Sequence, residues 1–376
     1  MAEPPHARKV TGSIPVGTTT IPSDSQVPGT RVFVPCSDRC PARHRGAMSA
    51  HFPEVETIRS ALSLAARAPS VHNSQPWRWR VGEHSLQLYS DPDLQLPHTD
   101  PDTRDQMLSC GAALNHCVVA FAALGWQSKV HRLPNPDEQH RLASIELYRY
   151  PATEVDITLA AAIPRRRTDR RHYSAWPVPQ GDIALMAARA ARAGVTLRRV
   201  DELDSLKSLV SQSAMRHGSD YDYLAELATW SGKYGATAGV PARSAPESDP
   251  SAAIPGRVFA GAVLTQTPDV DPAEDNEVVV ALGTAADDDV SRLRAGEATS
   301  VVLLTATALG LASCPVTEPL EIPETRAAVR AGVFGADGYP QMLLRIGWAP
   351  VNADPLPSTP RRALSEVIAR LDDSPA

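Results

Sequence analysis

Two observations predict an α+β protein made of two related halves. From residue 54 onward, stretches with a helical apolar period alternate with short strand-like runs, punctuated by Gly and Pro. In addition, Cys110-Gly111-Ala112-Ala113, Val118-Val119 and Ala123-Leu124-Gly125 recur as Ala295-Gly296-Glu297-Ala298, Leu303-Leu304 and Ala308-Leu309-Gly310, each displaced by 185 residues. In both copies the leading Gly permits close helix packing and the trailing Gly suits a C-terminal helix stop. Two unrelated core helices can share such a pattern by chance. A duplication accounts for all of it, with two central helices meeting as those of two subunits would. A chain of 376 residues is long enough for both halves and a sizeable core.

The elements follow in order. Residues 1–47 are rich in Pro, Ser, Thr and Arg without a sustained apolar period, and read as disordered or as an extension upstream of a start at Met48. The first half is set at 48–162. Its first helix, 54–67, places Ile58, Ala61, Leu62 and Ala65 on one face and is ended by Pro69. Strands near 77–81 and 85–90 meet at a Gly82-Glu83 turn. A long apolar helix at 102–124 stops at Gly125, and strands near 126–132 and 142–149 follow. The second half, 163–376, opens on Ile163-Pro164 and an Arg cluster; helices near 180–193 and 203–229 then bracket a strand around 195–200. A strand at 277–283, a helix at 289–309, a strand at 341–348 and a last helix at 363–371 complete it. Residues 231–262, rich in Gly, Pro, Ser and Ala, are an insertion, either a solvated linker or a lid.

Composition narrows the function classes. A hydrophobic content of 43% with 21% charged residues is that of a soluble globular chain. A net charge of −6 gives no electrostatic reason to expect nucleic acid or an anionic membrane as partner. Cys36, Cys40, Cys110, Cys117 and Cys314 are scattered and odd in number, which argues against a disulfide framework and for a reducing compartment. No uninterrupted apolar run reaches the roughly 18 residues that span a bilayer. No charged-then-apolar leader opens the sequence either, so a cytoplasmic location is expected. Cys36, Cys40 and His44 could be taken as metal ligands, but their spacing is loose and a fourth is missing, so no metal is expected.

The most informative stretch is Ala68-Pro69-Ser70-Val71-His72-Asn73-Ser74-Gln75-Pro76-Trp77-Arg78-Trp79. Small side chains let a ligand approach the backbone, Asn73 and Gln75 offer paired donors and acceptors, and Pro76 fixes the exit into a strand. A planar heterocycle with donors and acceptors on its edge suits this surface; a plain polar loop is the alternative. A second stretch, Arg165-Arg166-Arg167-Thr168-Asp169-Arg170-Arg171, gathers guanidinium forks and a hydroxyl suited to a phosphate dianion, or else forms a solvated basic turn. A third, Thr359-Pro360-Arg361-Arg362-Ala363-Leu364, sets basic residues before a helix, where the helix dipole disfavours them unless an anion is bound.

The first stretch resembles the Ala-Pro-Ser-x-x-Asn-x-Gln-Pro-Trp segment of the FMN-dependent nitroreductase family, and its His-Asn-Ser-Gln-Pro-Trp-Arg-Trp form is similar to the Acg-like branch. The resemblance covers roughly residues 54–370 and implies a nitroreductase-like fold binding FMN. Members are usually homodimers with the flavin between subunits. Here the Asn-x-Gln-Pro-Trp element occurs only in the first half and the Arg element only in the second. One complete site would remain in a pseudo-dimer able to act as a monomer.

By this resemblance, Ser70, His72, Asn73, Gln75, Pro76, Trp77, Arg78 and Trp79 border the isoalloxazine. Arg166 contacts the phosphate, Thr168 takes the family's Ser position, and Arg170 approaches the N1/O2 edge. Arg361, with Arg362 second, closes over the phosphate. The stretch Gly310 to Pro319 is similar to the one over flavin N5, which implicates Pro315, Thr317 and Glu318. Thr317 and Glu318 stand where the family often has Glu and Gly, so an acidic side chain could crowd the reacting face. The implied activity passes hydride from NAD(P)H to FMN and on to a nitroaromatic or quinone. The rival is a flavin-sequestering protein whose lid shuts out nicotinamide, a lid the Acg-like branch is expected to have. Cys110 and Cys117 read as packing residues, and Cys314 has no nearby base in sequence.

Overall fold

The computed structural model describes residues 52–232, 236–266 and 276–370. The expectations for residues 1–47, for Cys36, Cys40 and His44, and for a start at Met48 lie outside the described residues.

In the first half, α1 (Val55–Ala65) turns Ile58, Ala61, Leu62 and Ala65 inward, as their spacing demands. The hairpin of β1 (Trp77–Val81) and β2 (Leu86–Ser90) follows. Next come α2 (Arg104–Ala123), β3 (Trp126–Arg132) and β4 (Arg141–Arg149). A helix that the apolar period did not reveal, α3 (Glu154–Ala162), links the halves. It is started by a capping box in which Thr153 and Asp156 bond each other's backbone N–H groups.

The second half repeats this plan with insertions: α4 (Gln180–Arg192), β5 (Thr196–Arg199), α5 (Leu203–Gly218), α6 (Tyr221–Thr229), β6 (Val278–Thr284) and α7 (Asp289–Leu309). Then come β7 (Ala312–Val316), α8 (Glu318–Glu321), α9 (Pro323–Val329), β8 (Tyr339–Gly347), α10 (Leu364–Val367) and β9 (Ile368–Arg370). The single helix expected at 203–229 is two, because the Asp220 carboxylate accepts from Asp222 N and Tyr223 N and starts a new one. The expected last helix at 363–371 is one turn followed by β9.

The duplication is visible in the topology. The first sheet runs β3-β4-β2-β1 and the second β7-β8-β6-β5, so the order of equivalent strands is the same. Every neighbouring pair within these two sets of four is antiparallel. The insertion of α5, α6 and the following loop therefore sits where the first half has only its β1–β2 turn. One element breaks the symmetry: β9, from the end of the chain, adds in parallel to β1 as a fifth strand of the first sheet.

The two halves meet along α2 and α7, and the 185-residue relation recurs as contacts. Gly111 lies against Gly296, and a Cβ on either would stand 2.9 Å from the other's Cα. Leu108 of α2 is buried in the second half's core, while its counterpart Leu293 of α7 is buried in the first half's. Asn115 Oδ1 accepts from its counterpart Ser300 Oγ at 2.7 Å. Such reciprocal contacts are those of an isologous two-fold interface, here within one chain. By length and composition α2 could cross a membrane; it is instead mostly buried between the halves.

Candidate functional site

The Ser70–Gln75 turn is backbone under constraint. Val71–Asn73 form one short 3₁₀ turn, and His72, Asn73 and Gln75 all have positive φ (46°, 54° and 56°). Asn and His tolerate that region better than most residues; Gln does so at an energetic cost, and such turns persist where their surroundings over-determine them. The determinants are present. Gln75 N donates to Ser70 Oγ at 2.9 Å, and Val71 N to Ser109 Oγ of α2 at 3.1 Å.

The amides of Asn73 and Gln75 are engaged by two other segments. Asn73 Nδ2 donates to Gly239 O (3.0 Å) and Pro360 O (3.2 Å), and its Oδ1 accepts from Arg361 Nη1 at 3.0 Å. Gln75 Nε2 donates to Thr237 O at 3.0 Å, while its Oε1 accepts from Arg362 N at 2.9 Å. This motif thus fastens the insertion and the C-terminal segment to the first half. Trp77 and Trp79 are inside the first half's core, and Arg78 reaches outward to Asp91 and Asp93. Pro76 bonds through its carbonyl to Asp91 N and to Cys110 Sγ.

A cleft of about 670 Å³, counting its open mouth, lies on the seam between the halves. Ser70 and His72 come to it from the first half, and Thr168, Arg170, Pro315 and Thr317 from the second. Of the expected ligand contacts, these six line it; Asn73, Gln75, Pro76, Trp77, Arg78, Trp79, Arg166, Glu318 and Arg361 do not. Glu318 is turned to His217, its Oε1 3.3 Å from Nδ1, and does not crowd the cleft.

Four arginines, Arg67, Arg166, Arg167 and Arg361, gather where α1 and α3 end. Arg166 is 5% exposed, and its Nε and Nη1 have no hydrogen-bond partner among the described residues. The Nε atoms of Arg67, Arg167 and Arg361 are enclosed and unpartnered as well. Arg361 Nη2 is held by the carbonyls of Arg67 (3.0 Å) and Ala68 (3.2 Å) at the end of α1. Burial, then Arg167, Arg67 and Arg170, pushes Arg166 down to about 10. Burial, then Arg166, Arg67 and Arg167, pushes Arg361 down to about 9. Clustered like charges, one buried and three half-buried, with free donors and among the described residues no carboxylate bonded to them, are the donor set of an anion site. A phosphate dianion fits it, by charge and by the number of open N–H groups.

Sequence reasoning missed four further residues here. Arg67 follows α1 and Ser109 lies on α2, in stretches that read as ordinary surface and core. His116 is buried beside the arginines, its Nδ1 near Ala112 O and Ser300 Oγ and its Nε2 unpartnered. The fourth is Arg257, from the insertion, which lines the cleft. It donates to His72 Nε2 (3.2 Å), Tyr223 Oη (3.0 Å) and Thr317 Oγ1 (3.2 Å) and is ion-paired with Glu321 of α8. Arg170 in turn stacks over Phe259 of the same insertion, 4.9 Å from the ring centroid, and donates to Ser244 O at 2.9 Å. The signal for Arg257 was weak, a single polar residue in a segment without period.

A fold of two reciprocal halves joined along α2 and α7 is that of a one-chain pseudo-dimer. No family model matches the chain. Among curated relatives, Rv3131 of Mycobacterium tuberculosis H37Rv, assigned by name to the NAD(P)H nitroreductases, is 64% identical over 322 residues, covering 86% of this chain and 94% of the relative. The protein Acg of the same organism, named likewise, is 38% identical over 325 residues, 83% of this chain and 95% of its own. Among solved structures, a Bacteroides fragilis nitroreductase with bound FMN aligns with 55% of this chain and 95% of its own, at 16% identity and a TM-score of 0.36. The chain belongs to the NAD(P)H nitroreductase family, with Acg among its relatives.

Proposed function

We propose that the chain binds one FMN in the seam cleft and acts as a nitroreductase-type oxidoreductase on nitroaromatic or quinone acceptors. The observation that carries this reading is the set of open N–H groups on Arg67, Arg166, Arg167 and Arg361; none of the four lines the cleft itself, but Arg67 and Arg167 stand within two residues of its wall residues Pro69 and Thr168. Arg166 and Arg361 would hold the phosphate, with Arg67 and Arg167 adding charge. Arg170 and Thr168 would face the pyrimidine edge and ribityl chain, and the constrained turn at Ser70–His72 would support the ring. Bound there, FMN would supply two-electron chemistry, accepting a hydride from a nicotinamide and passing it on. Asn73 and Gln75 act one step back. They lock Arg361, Arg362 and the insertion in place, so the anion site is pre-organised rather than assembled on binding.

A second reading has its own support: a flavin-holding protein with little turnover. Residues 239–264 pack over the cleft through Arg257, Phe259 and Ser244, which favours a lid over a solvated linker. Such a lid would restrict a nicotinamide's access to the flavin.

The test is anaerobic addition of NADPH or NADH to the purified, FMN-loaded protein. Bleaching of the flavin absorbance within seconds supports the oxidoreductase. Flavin that resists both nicotinamides yet reduces with dithionite supports the holder, and purified protein that neither contains nor takes up FMN refutes both.

A further inference from the structure

One carboxyl oxygen on the cleft wall has nothing to bond. Asp105, in the first turn of α2, is 3% exposed; its Oδ1 accepts from Arg104 Nη1 at 2.6 Å. Its Oδ2 is enclosed and has no hydrogen-bond partner among the described residues, although Asp105 lines the same cleft as Ser70, His72 and Thr168.

The other titratable groups around the cleft are committed. His72 Nε2 stands 3.2 Å from Arg257 Nη1, and a guanidinium only donates, so that nitrogen carries a lone pair and the ring is neutral. Burial, then Arg257, Arg170 and His217, hold this imidazole well below its ordinary range, so it is a poor acid store. Glu321 is paired with Arg257 and Glu318 with His217. Burial pushes the Cys314 thiol up.

We propose that Asp105 is the proton-exchanging group of this cleft, taking up a proton as electrons enter the bound flavin and giving it to the acceptor as hydride leaves. The proposal rests on the flavin reading of the preceding section. With a quinone, bound FMN would supply the hydride with its electron pair, and one oxygen of the acceptor would be left anionic. The Asp105 O–H bond breaks, its proton forms the new O–H bond of the hydroquinone, and its electron pair stays on the carboxylate. Water reprotonates that carboxylate at the next reduction.

The surroundings suit exchange near neutrality. Burial raises this carboxyl to about 6, with Arg104 and Arg257 opposing and Glu321 and Asp102 adding to the rise. Asp100, whose carboxylate accepts from Asp105 N and Gln106 N, is itself raised to about 8 by burial and then by Asp105, so it is largely neutral near pH 7. Negative charge arriving in the cleft raises the group further, so it protonates on reduction.

The test uses FMN-loaded protein as wild type, Asp105→Asn and Asp105→Glu. The flavin midpoint potential is followed against pH between about pH 5 and pH 8, where an exchanging carboxyl steepens the slope by one proton per two electrons. The steeper slope is expected in wild type and Asp105→Glu and absent in Asp105→Asn. Reoxidation by 1,4-benzoquinone should slow about a hundredfold in Asp105→Asn, the lower range for loss of a general acid, and fall with rising pH in wild type. Infrared difference spectra of wild type should gain a protonated-carboxyl band on reduction. Equal slopes and reoxidation rates in wild type and Asp105→Asn, or no such band in wild type, overturn the proposal while leaving FMN binding standing. Failure of the wild type to bind FMN overturns both.

Discussion

Gly111 and Gly296, 185 residues apart in sequence, face each other across the seam between the halves, each so close that a Cβ would stand 2.9 Å from the other's Cα. The same virtual Cβ atoms would collide with the carbonyls of Leu293 and Leu108, backbone that cannot move aside without separating α2 from α7. Gly111→Ala or Gly296→Ala should therefore destabilise the fold by on the order of 3 kcal/mol, the upper end for overpacking. Denaturant unfolding checks this, with Gly181→Ala, which meets open space, as the neutral comparison.

The pseudo-symmetry also sets the stoichiometry. Leu108 and Ala112, which line the cleft on α2, correspond by the 185-residue shift to Leu293 and Glu297 on α7. Leu293 is absorbed into the first half's core, and Glu297 is gripped by Arg132 through Nε (2.6 Å) and Nη2 (2.7 Å). A charged bidentate pair stands where the second cleft would have a methyl group. Titration should give one FMN per chain, and a ratio of two would show that the mate site survives.

The latch on the insertion predicts a measurable opening. Arg257→Met removes the ion pair with Glu321 and leaves that buried carboxylate to the Thr317 hydroxyl (2.7 Å) and His217 Nε2 (3.9 Å), a loss on the order of 3 kcal/mol in comparable buried pairs. Because Arg257 ties the insertion to His72, Tyr223, Thr317 and Glu321, its loss should appear first as easier access to the cleft. Iodide quenching of bound-flavin fluorescence should rise severalfold, and reduction by NADPH should quicken if the lid limits it.

Two buried imidazoles set a pH dependence in flavin-free protein. Burial, then nearby arginines, hold His72 and His116 well below the usual value, so both are neutral when folded. The unfolded chain binds their protons below about pH 6.5 and the folded chain does not. The stability they contribute is complete above that pH and is lost as the pH falls through 6.5 toward their depressed values. Between pH 7.5 and pH 6 the loss should be about 0.8 kcal/mol for each. Urea midpoints across that range test it; a midpoint that rises on acidification would show that other groups dominate.

Much of this was legible in the sequence. The Gly-to-Gly recurrence located the seam helices, with α7 spanning the expected 289–309. The arginines at 166 and 361 stand out because clustered like charges need a reason. What stayed hidden depends on tertiary partners. Asn73 and Gln75 have the residue types of ligand contacts, but whether an amide meets a ligand or the Gly239 and Thr237 carbonyls is decided by a segment more than 160 residues away. Trp77 and Trp79 alternate with Arg78 and Arg80 as on any half-buried strand, and the burial of both Trp shows which face points inward. Asp105 and Arg257 carried no local pattern. The strand β9 could not be read from three residues whose only support is a parallel partner in the other half.

The most direct measurement of the central claim is a paired titration of flavin-free protein with FMN and with riboflavin, repeated on Arg166→Ala and Arg361→Ala. If the buried guanidiniums grip a phosphate, wild type binds FMN at least about a hundredfold more tightly than riboflavin, since charge-assisted bonds of about 1.5–3 kcal/mol each are lost without it. Each variant should lose most of that preference while its riboflavin affinity stays near wild type. Equal affinity for the two flavins in wild type, or a preference that survives both substitutions, would contradict the account.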